Sequence, residues 1–500
     1  MISVDQPPSS SHEIGKKVAH NAAWNYLSFG LGKALNLVTI SILAHLLTPD
    51  LFGVIALATL AIDYLSILSD FGLGAAVVQR RENIDEASNI AFTFNLLIAI
   101  SLTLIVIVTA PYVAIFFREP SLTPILRWLG FGFIINAAGS VHKARLQRDL
   151  RFGRKLIPEL GNTLTKGAIS IGLALMGFGA WSLVYGQLAG MSLFALLLWI
   201  VVPWRPSLIF KSNISKQLFT YGFSIMIVRA YTTVADSFDY LLIGRLFDTA
   251  ALGIYTLAYR LPDLLIINTL SVLAAVFFPA FSSIQNQPDV LRRSFLSTTR
   301  YVQLLITPLC LGIFVAADPI IRVIFGEQWL QSIPIMQVLS LYALVLSIGF
   351  HVGDIYKAVG RPDILLKMGL PIVLIRLTAL WIGSHYDLIG IAAGHLAAAL
   401  IEVVIRAVLT INLIRVTFRE IVNQLTALVG GVGLLACAIP VLYLTQEIAP
   451  WMRLMSVVLA GITGYISVIW FLEHDSILKV IGLLGIFTKT TAKASEHQHG

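Results

Sequence analysis

Five cations sit where cations are expensive. Lys33, Lys166, Arg229, Arg260 and Arg376 each fall inside a long apolar block of the 500-residue chain. In lipid, each such charge costs at least about 2.5 to 3.5 kcal/mol at the bilayer centre on insertion scales, so a lipid-facing position is disfavoured. The chemistry these side chains suit is anion binding, because a guanidinium holds phosphate through two parallel N–H bonds and an ammonium acts as a point charge. Neighbouring polar residues show which way they point. Arg229, Thr233, Asp236 and Tyr240 share one face of a helix, since steps of three, four and seven return to the same side. Asn162, Lys166 and Ser170 repeat the pattern, and Asn21, Asn25, Ser28, Gly32 and Asn36 form a polar stripe with Lys33 at its edge. The expected site is a cationic cavity of Lys33, Lys166, Arg229, Arg260 and Arg376, with Asn25, Asn36, Asn162, Thr233 and Tyr240 as its polar lining.

Each cation also has a structural reading. Asp263 follows Arg260 by three residues and could neutralise it, so both readings of Arg260 stay open. Glu402 and Arg406, one helical turn apart, read as a structural ion pair near the end of their block. Lys33 and Arg229 have no acid one turn away, although Arg229 can reach Asp236 two turns on. Four carboxylates in the same blocks, Asp63, Asp70, Asp236 and Asp239, are candidates for a coupling ion, because a carboxyl held in apolar surroundings can take up and release a proton in the working range. Asp70 leans structural, since it lies in a turn at the end of its block. His351, His385 and His395 are scattered without ligand spacing, so no metal is expected. Cys310 and Cys437 lie far apart inside apolar blocks and read as small core residues, and no cofactor is expected.

The elements that must position these residues follow from composition. The chain is 57% hydrophobic and 12% charged, with a mean hydropathy of +0.83, whereas about a quarter of residues in soluble globular proteins are charged. Its apolar residues come in continuous stretches of about twenty, the length that crosses the hydrocarbon as a helix. Membrane strands would be shorter and alternating, so the expected fold is an all-α integral membrane protein. Hydropathy predicts about fourteen spans. These are Val18 to Leu47, Phe52 to Val78, Asn89 to Val108, Thr123 to Val141, Leu156 to Gly177 and Trp181 to Val202. After a polar connector come Phe219 to Phe247, Leu252 to Phe281, Phe295 to Ala317, Ile333 to Tyr356, Leu365 to Gly383 and Ile389 to Ile411. Val422 to Leu444 and Met452 to Leu472 complete the set. The start, Met1 to Glu13, is polar and lacks a cleavable signal pattern, so the first span is expected to anchor the chain.

Loop charge tests that count. Basic residues concentrate in alternate loops, including Arg80 and Arg81, the run from Lys143 to Lys155, Arg292 and Arg293, and Arg415 and Arg419. The opposite loops hold only Arg118, Arg127, Arg245, Arg322 and Arg453, a bias of about fourfold that places both termini in the cytoplasm. The pI near 9.4 is therefore a topological signature, and nucleic acid is not an expected partner. Trp181, Trp199, Trp204 and Trp451, near span ends, read as interfacial anchors.

The two halves resemble each other. Leu46, Leu47, Gly53, Leu57 and Ala58 recur as Leu246, Phe247, Gly253, Leu257 and Ala258, the offset of about two hundred residues that marks a duplicated transporter. Pro111, Phe117, Glu119 and Leu122 match Pro319, Phe325, Glu327 and Leu330, and Gly186 matches Gly394. The expected organisation is a cytoplasmic segment 1–17, a lobe 18–203, a connector 204–217, a second lobe 218–416, two extra helices in 417–473 and a tail 474–500. Each half starts inside and spans six times on this reading, so the repeats are parallel and the substrate route is expected between them.

A set of motifs carries a family resemblance. They are Leu46-Leu47-Thr48-Pro49-Asp50-Leu51-Phe52-Gly53, Asp70-Phe71-Gly72-Leu73-Gly74-Ala75-Ala76-Val77-Val78-Gln79 and Leu150-Arg151-Phe152. Gly179-Ala180-Trp181-Ser182-Leu183-Val184, Phe278-Pro279-Ala280 and Gly360-Arg361-Pro362 support them. In order and spacing, the chain to about residue 415 resembles the polysaccharide-exporting branch of the multidrug, oligosaccharidyl-lipid and polysaccharide exporter (MOP) superfamily, the MATE-like flippases of colanic-acid and teichuronic-acid type. The last two spans resemble the extra pair of the lipid II flippase relatives. The resemblance implies two six-helix lobes and movement of an undecaprenyl-pyrophosphate-linked oligosaccharide between leaflets, with membrane lipids and polysaccharide polymerase or export machinery as partners.

Two rival functions follow from the same composition. A membrane-embedded polysaccharide polymerase or ligase needs catalytic residues on large outer loops, and every loop predicted outside is short. An antiporter of small organic cations with the same fold is expected to line its pocket with net acidic charge.

Overall fold

The computed structural model describes residues 30–69, 71–80, 82–149, 152–207 and 212–474. Among them there are helices and connecting turns but no strand, as lipid demands of a chain that must satisfy its own backbone hydrogen bonds. The chain divides into two compact units, Met1–Thr256 and Leu257–Gly500. The first holds α1 (Gly30–Leu46), α2 (Pro49–Ser69), α3 (Leu73–Gln79), α4 (Ile84–Phe117), α5 (Leu122–Arg148), α6 (Phe152–Leu175), α7 (Ala180–Val201) and α8 (Ser212–Leu246). α9 (Thr249–Pro262) runs from the first unit into the second. The second holds α10 (Asn268–Ser283), α11 (Pro288–Ile320), α12 (Ser332–Gly349), α13 (Val352–Ala358), α14 (Asp363–Gly383), α15 (Leu388–Ile414), α16 (Phe418–Val422), α17 (Thr426–Leu444) and α18 (Pro450–Leu472).

Among the described residues, 11 helical segments are long and apolar enough to cross a membrane, which makes this a multi-pass membrane protein. Helices also cover the three remaining expected spans. α1 begins at Gly30, and the first part of its expected span, from Val18, lies outside the described residues. α6 carries Arg154, Lys155, Glu159 and Lys166, which make it too polar for a plain lipid-facing span, and α8 carries Lys216, Arg229, Asp236, Asp239 and Arg245.

Some expected spans are interrupted. The second, read as continuous from Phe52 to Val78, ends at Ser69 and resumes at Leu73. Phe71 and Gly72 between them have φ of 43° and 67°, the left-handed region that ends a helix. A π-helical stretch, Asp263–Ile267, separates α9 from α10, and a second, Ile321–Phe325, follows α11. α16 is a separate turn started by a capping box in which Thr417 and Glu420 bond reciprocally.

In the first unit α3, α4, α5 and α8 share a core that includes Leu73, Ile90, Phe92, Val141 and Leu218. Trp199 and Trp204 pack on this unit's His142, with ring centroids at 4.8 and 5.1 Å. In the second unit α17 and α18 dock on α11. Arg453 at the start of α18 is ion-paired with Asp318 near the end of α11, which also holds Arg322 at 3.0 Å. At the other end of α18, Glu473 meets Arg300 at 3.4 Å and accepts from Thr426 at 2.5 Å. The last two helices are thus pinned at both ends.

Candidate functional site

Two of the expected cations share a cavity. Lys33 and Asn36 from α1 and Asn162 and Lys166 from α6 line a space of about 350 Å³, together with Gly32, Thr39, Glu159 and Thr163. Glu159 was not among the expected residues; its carboxylate is paired with Lys155, one turn earlier, at 2.7 Å. The two lysines therefore set the sign of this cavity, while the asparagines and threonines offer neutral donors and acceptors.

Glycines on the neighbouring helices position it. On α7, Gly186 and Gly190 are spaced as G-x-x-x-G, the pattern that lets membrane helices approach backbone to backbone. A Cβ at Gly190 would lie 2.5 Å from Asn162 Oδ1 and 3.0 Å from Lys166 Cβ, and one at Gly186 would lie 1.9 Å from Ser170 Oγ. The Asn162, Lys166 and Ser170 stripe thus rides along the α7 seam. On the other side of α6, a Cβ at Gly167 would lie 2.6 Å from Thr39 Oγ1 on α1. The pattern of small residues was the sequence signal for this placement.

A second cavity, of about 310 Å³, lies between α2 and α8 and is lined by Asp63, Ser66, Ile67, Arg229, Thr232, Thr233, Asp236 and Ser237. Arg229, Thr233 and Asp236 share the face expected of them. Asp63, from α2, was expected only as a coupling carboxylate and here lines the same space as Arg229. The α1 stripe therefore lines one cavity with α6, and the α8 stripe lines another with α2. The charges separate by sign: Lys33 and Lys166 against the neutralised Glu159 in the first, and Asp63 and Asp236 against Arg229 in the second.

The remaining candidates lie elsewhere. Tyr240 packs its ring edge-on against Tyr255 at 5.9 Å. Asp239 is buried, accepts from the Tyr255 hydroxyl at 2.9 Å and is absent from the lining of the Asp236 cavity. Asn25 and Asp70 lie outside the described residues. Arg260, near the end of α9, makes no ion pair with Asp263, the first residue of the π-helical stretch, among the described residues. Arg376 is half-buried on α14. Arg406 is ion-paired with Glu402 and donates to the Gly349 carbonyl at 3.1 Å, the structural role its spacing suggested. His351 is buried, bonded to Thr299 at 2.9 Å and set against the Phe295 ring.

Known proteins place this architecture. The lipid II flippase MurJ, in an inward closed conformation, superposes with a TM-score of 0.74 over 91% of this chain and 99% of its own, at 14% identity. An inward-facing multidrug resistance MATE family transporter of the MOP superfamily superposes with a TM-score of 0.63 over 77% of this chain and 94% of its own, also at 14% identity. The fold is accordingly all-α and MATE-like. By sequence, the chain is 26% identical over 354 residues to the teichuronic acid biosynthesis protein TuaB of Bacillus subtilis, covering 70% of this chain and 73% of that one. It is 27% identical over 351 residues to the succinoglycan biosynthesis transport protein ExoT of Rhizobium meliloti, covering 70% and 71%. A family profile described as polysaccharide biosynthesis protein matches residues 42–334. That match takes in α2 through α11, the α6 side of the first cavity, the whole of the second and more than half of the chain, and the protein belongs to the polysaccharide biosynthesis protein family.

Proposed function

We propose that this protein is a flippase for lipid-linked oligosaccharide, moving undecaprenyl-pyrophosphate-linked repeat units from the inner to the outer leaflet of a bacterial cytoplasmic membrane for exopolysaccharide or lipopolysaccharide synthesis. The observation that carries the reading is the cavity in which Lys33 and Lys166 come together, within a chain of this family. A pyrophosphate headgroup cannot enter hydrocarbon unaided, and two lysines among amides and hydroxyls, with Glu159 paired to Lys155, replace its water and counterions. The prenyl tail stays in lipid. Asn36 and Asn162 serve the adjoining sugar and Arg229 supplies a further cation from the second cavity, whereas Arg260 and Arg376 line neither of these cavities. Thr233, with Asn25 and Tyr240, supplies further hydrogen bonds.

Asp63 and Asp236 are the carboxylates best placed for ion coupling, since both line the cavity that holds Arg229; Asp70 and Asp239 are the weaker candidates. That cavity's acidic excess also suits an organic cation, the reading of a small-molecule antiporter. Both termini are cytoplasmic in this proposal, and the lobes 18–203 and 218–416 rock in alternating access, with the two extra helices following in 417–473. A polysaccharide polymerase on the outer side would consume what is delivered. Depletion of the protein should accumulate lipid-linked repeat units on the inner leaflet; an unchanged leaflet distribution under full depletion refutes the proposal.

A further inference from the structure

At one end α2 meets the start of α9, at the other the break after α2 meets α8, and a cavity opens between α2 and α8 in the stretch between these two crossings. Toward residue 50 the contact is reciprocal. A Cβ on Gly53 would lie 1.7 Å from the Thr249 carbonyl oxygen, and one on Gly253 would lie 2.0 Å from that of Pro49. Pro49 and Gly53 are the repeat counterparts of Thr249 and Gly253 at the offset of about two hundred residues, so each turn makes on the other the contact it receives, as across a local twofold axis. Toward residue 72 the second contact forms at the break between α2 and α3. A Cβ on Gly222 would lie 2.1 Å from the Phe71 carbonyl oxygen, and one on Gly72 would lie 2.6 Å from that of Gly222. Aromatic rings surround this crossing: Phe71 lies 5.3 Å from Phe219 and 6.0 Å from Phe223, and Phe94 meets Phe219 edge-on at 4.7 Å.

Between the crossings lies the cavity with Asp63, Ser66, Arg229 and Asp236, whose charged side chains are exposed within it. A polar headgroup in that space leaves toward either face only if the crossing at that end separates. Backbone-on-backbone contacts suit such a motion. They are tight when shut, yet few side chains interdigitate there and must disengage when they open. We infer that these two crossings are the gates of the transport route: Gly53 and Gly253 close one face, and Gly72 and Gly222, with the Phe71, Phe219 and Phe223 rings, close the other. This rests on the proposed flippase reading for the route and on its topology for the sides, which make the Gly53 gate outer and the Gly222 gate cytoplasmic.

The test uses the full-length protein with Cys310 and Cys437 replaced by Ala and a reporter, Ser66→Cys, in the cavity. A charged, membrane-impermeant methanethiosulfonate is applied to right-side-out and inside-out vesicles. Gly222→Ala should speed labelling from the cytoplasmic side about tenfold and Gly53→Ala from the outer side about tenfold, each by shifting a two-state equilibrium. Gly172→Ala, where an added Cβ meets nothing within 4 Å, should change neither. If the sides are swapped, the topology is wrong and the gates stand; if both variants label like the parent from both sides, the gates are refuted. Because no substrate enters this assay, it remains valid if the flippase reading fails. Should a glycine variant not accumulate, Phe71→Cys with Phe219→Cys, bridged by a reducible dithiol cross-linker, keeps the native glycines. Bridging should stop turnover of lipid-linked oligosaccharide and reduction should restore it, whereas undiminished turnover when bridged overturns the inference.

Discussion

Adding one methyl group at Gly190 should disable the lysine cavity by pressing on two of its lining residues from the α7 side. The Cβ of Gly190→Ala would lie 2.5 Å from Asn162 Oδ1, 2.9 Å from the Asn162 carbonyl oxygen and 3.0 Å from Lys166 Cβ. Ordinary contacts of this kind need about 3.4 Å or more, so α6 must retreat from α7 by roughly 1 Å, and overpacking of that kind costs about 1–3 kcal/mol. The displaced helix carries Lys166 and Asn162, and misplacing a binding group by about 1 Å can cost about a hundredfold in rate. Gly190→Ala should therefore lower the melting temperature in detergent and reduce oligosaccharide flipping by tenfold or more, as about 1.4 kcal/mol per decade requires. Gly172→Ala on α6 itself is the matched control, since nothing lies within 4 Å of its added Cβ. A Gly190→Ala protein that melts and transports like the parent would refute the claim that the α7 seam sets the site.

Three further outcomes are expected. Arg453→Ala removes the tie between α18 and Asp318, which keeps Arg322 at 3.0 Å; the loss should be about 1.5–3 kcal/mol, the worth of a charge-assisted hydrogen bond, read as reduced thermal stability with little change in transport per folded molecule. Gly72→Ala combines a left-handed φ of 67° with a Cβ 2.6 Å from the Gly222 carbonyl oxygen. Strain of about 1–2 kcal/mol from the backbone alone should lower its abundance in membranes, measured by quantitative blotting against Gly172→Ala. Arg229→Ala leaves Asp63 and Asp236 facing one cavity without the cation and should cut export about tenfold at normal abundance; export at the parental rate would remove Arg229 from the route.

Much of the architecture was legible because lipid imposes a simple rule. A span must be helical, apolar and about twenty residues long, and hydropathy reads all three. It reads poorly where function intrudes. α6 is too polar to read as a plain lipid-facing span because its charges include Glu159 and Lys166, which line a cavity. The break at Phe71 and Gly72 was invisible for a different reason: the Asp70 to Gln79 stretch is apolar enough to continue a helix, and a backbone angle leaves no trace in hydropathy.

For the candidate site, helical periodicity assigned Arg229, Thr233 and Asp236 to one face, where they lie. It could not say which helix that face meets, since partners across a bundle are set by packing and not by spacing. Hence Lys33 meets Lys166, and Arg229 meets Asp63. Nor could periodicity foresee Tyr255, whose ring packs on Tyr240 and whose hydroxyl donates to Asp239. Local pairs did better: Glu402 and Arg406 are joined at the one-turn spacing at which a helix brings side chains together.

The most direct measurement is reconstituted flipping of a prenyl-pyrophosphate oligosaccharide by protein in which Lys33 and Lys166 are both replaced by Gln. Each charged contact to the headgroup should contribute about 1.5–3 kcal/mol, so each single variant should slow flipping roughly tenfold or more and the double variant at least about a hundredfold, with folding intact. Flipping by the double variant at the parental rate, from protein of normal abundance and melting temperature, would contradict the account.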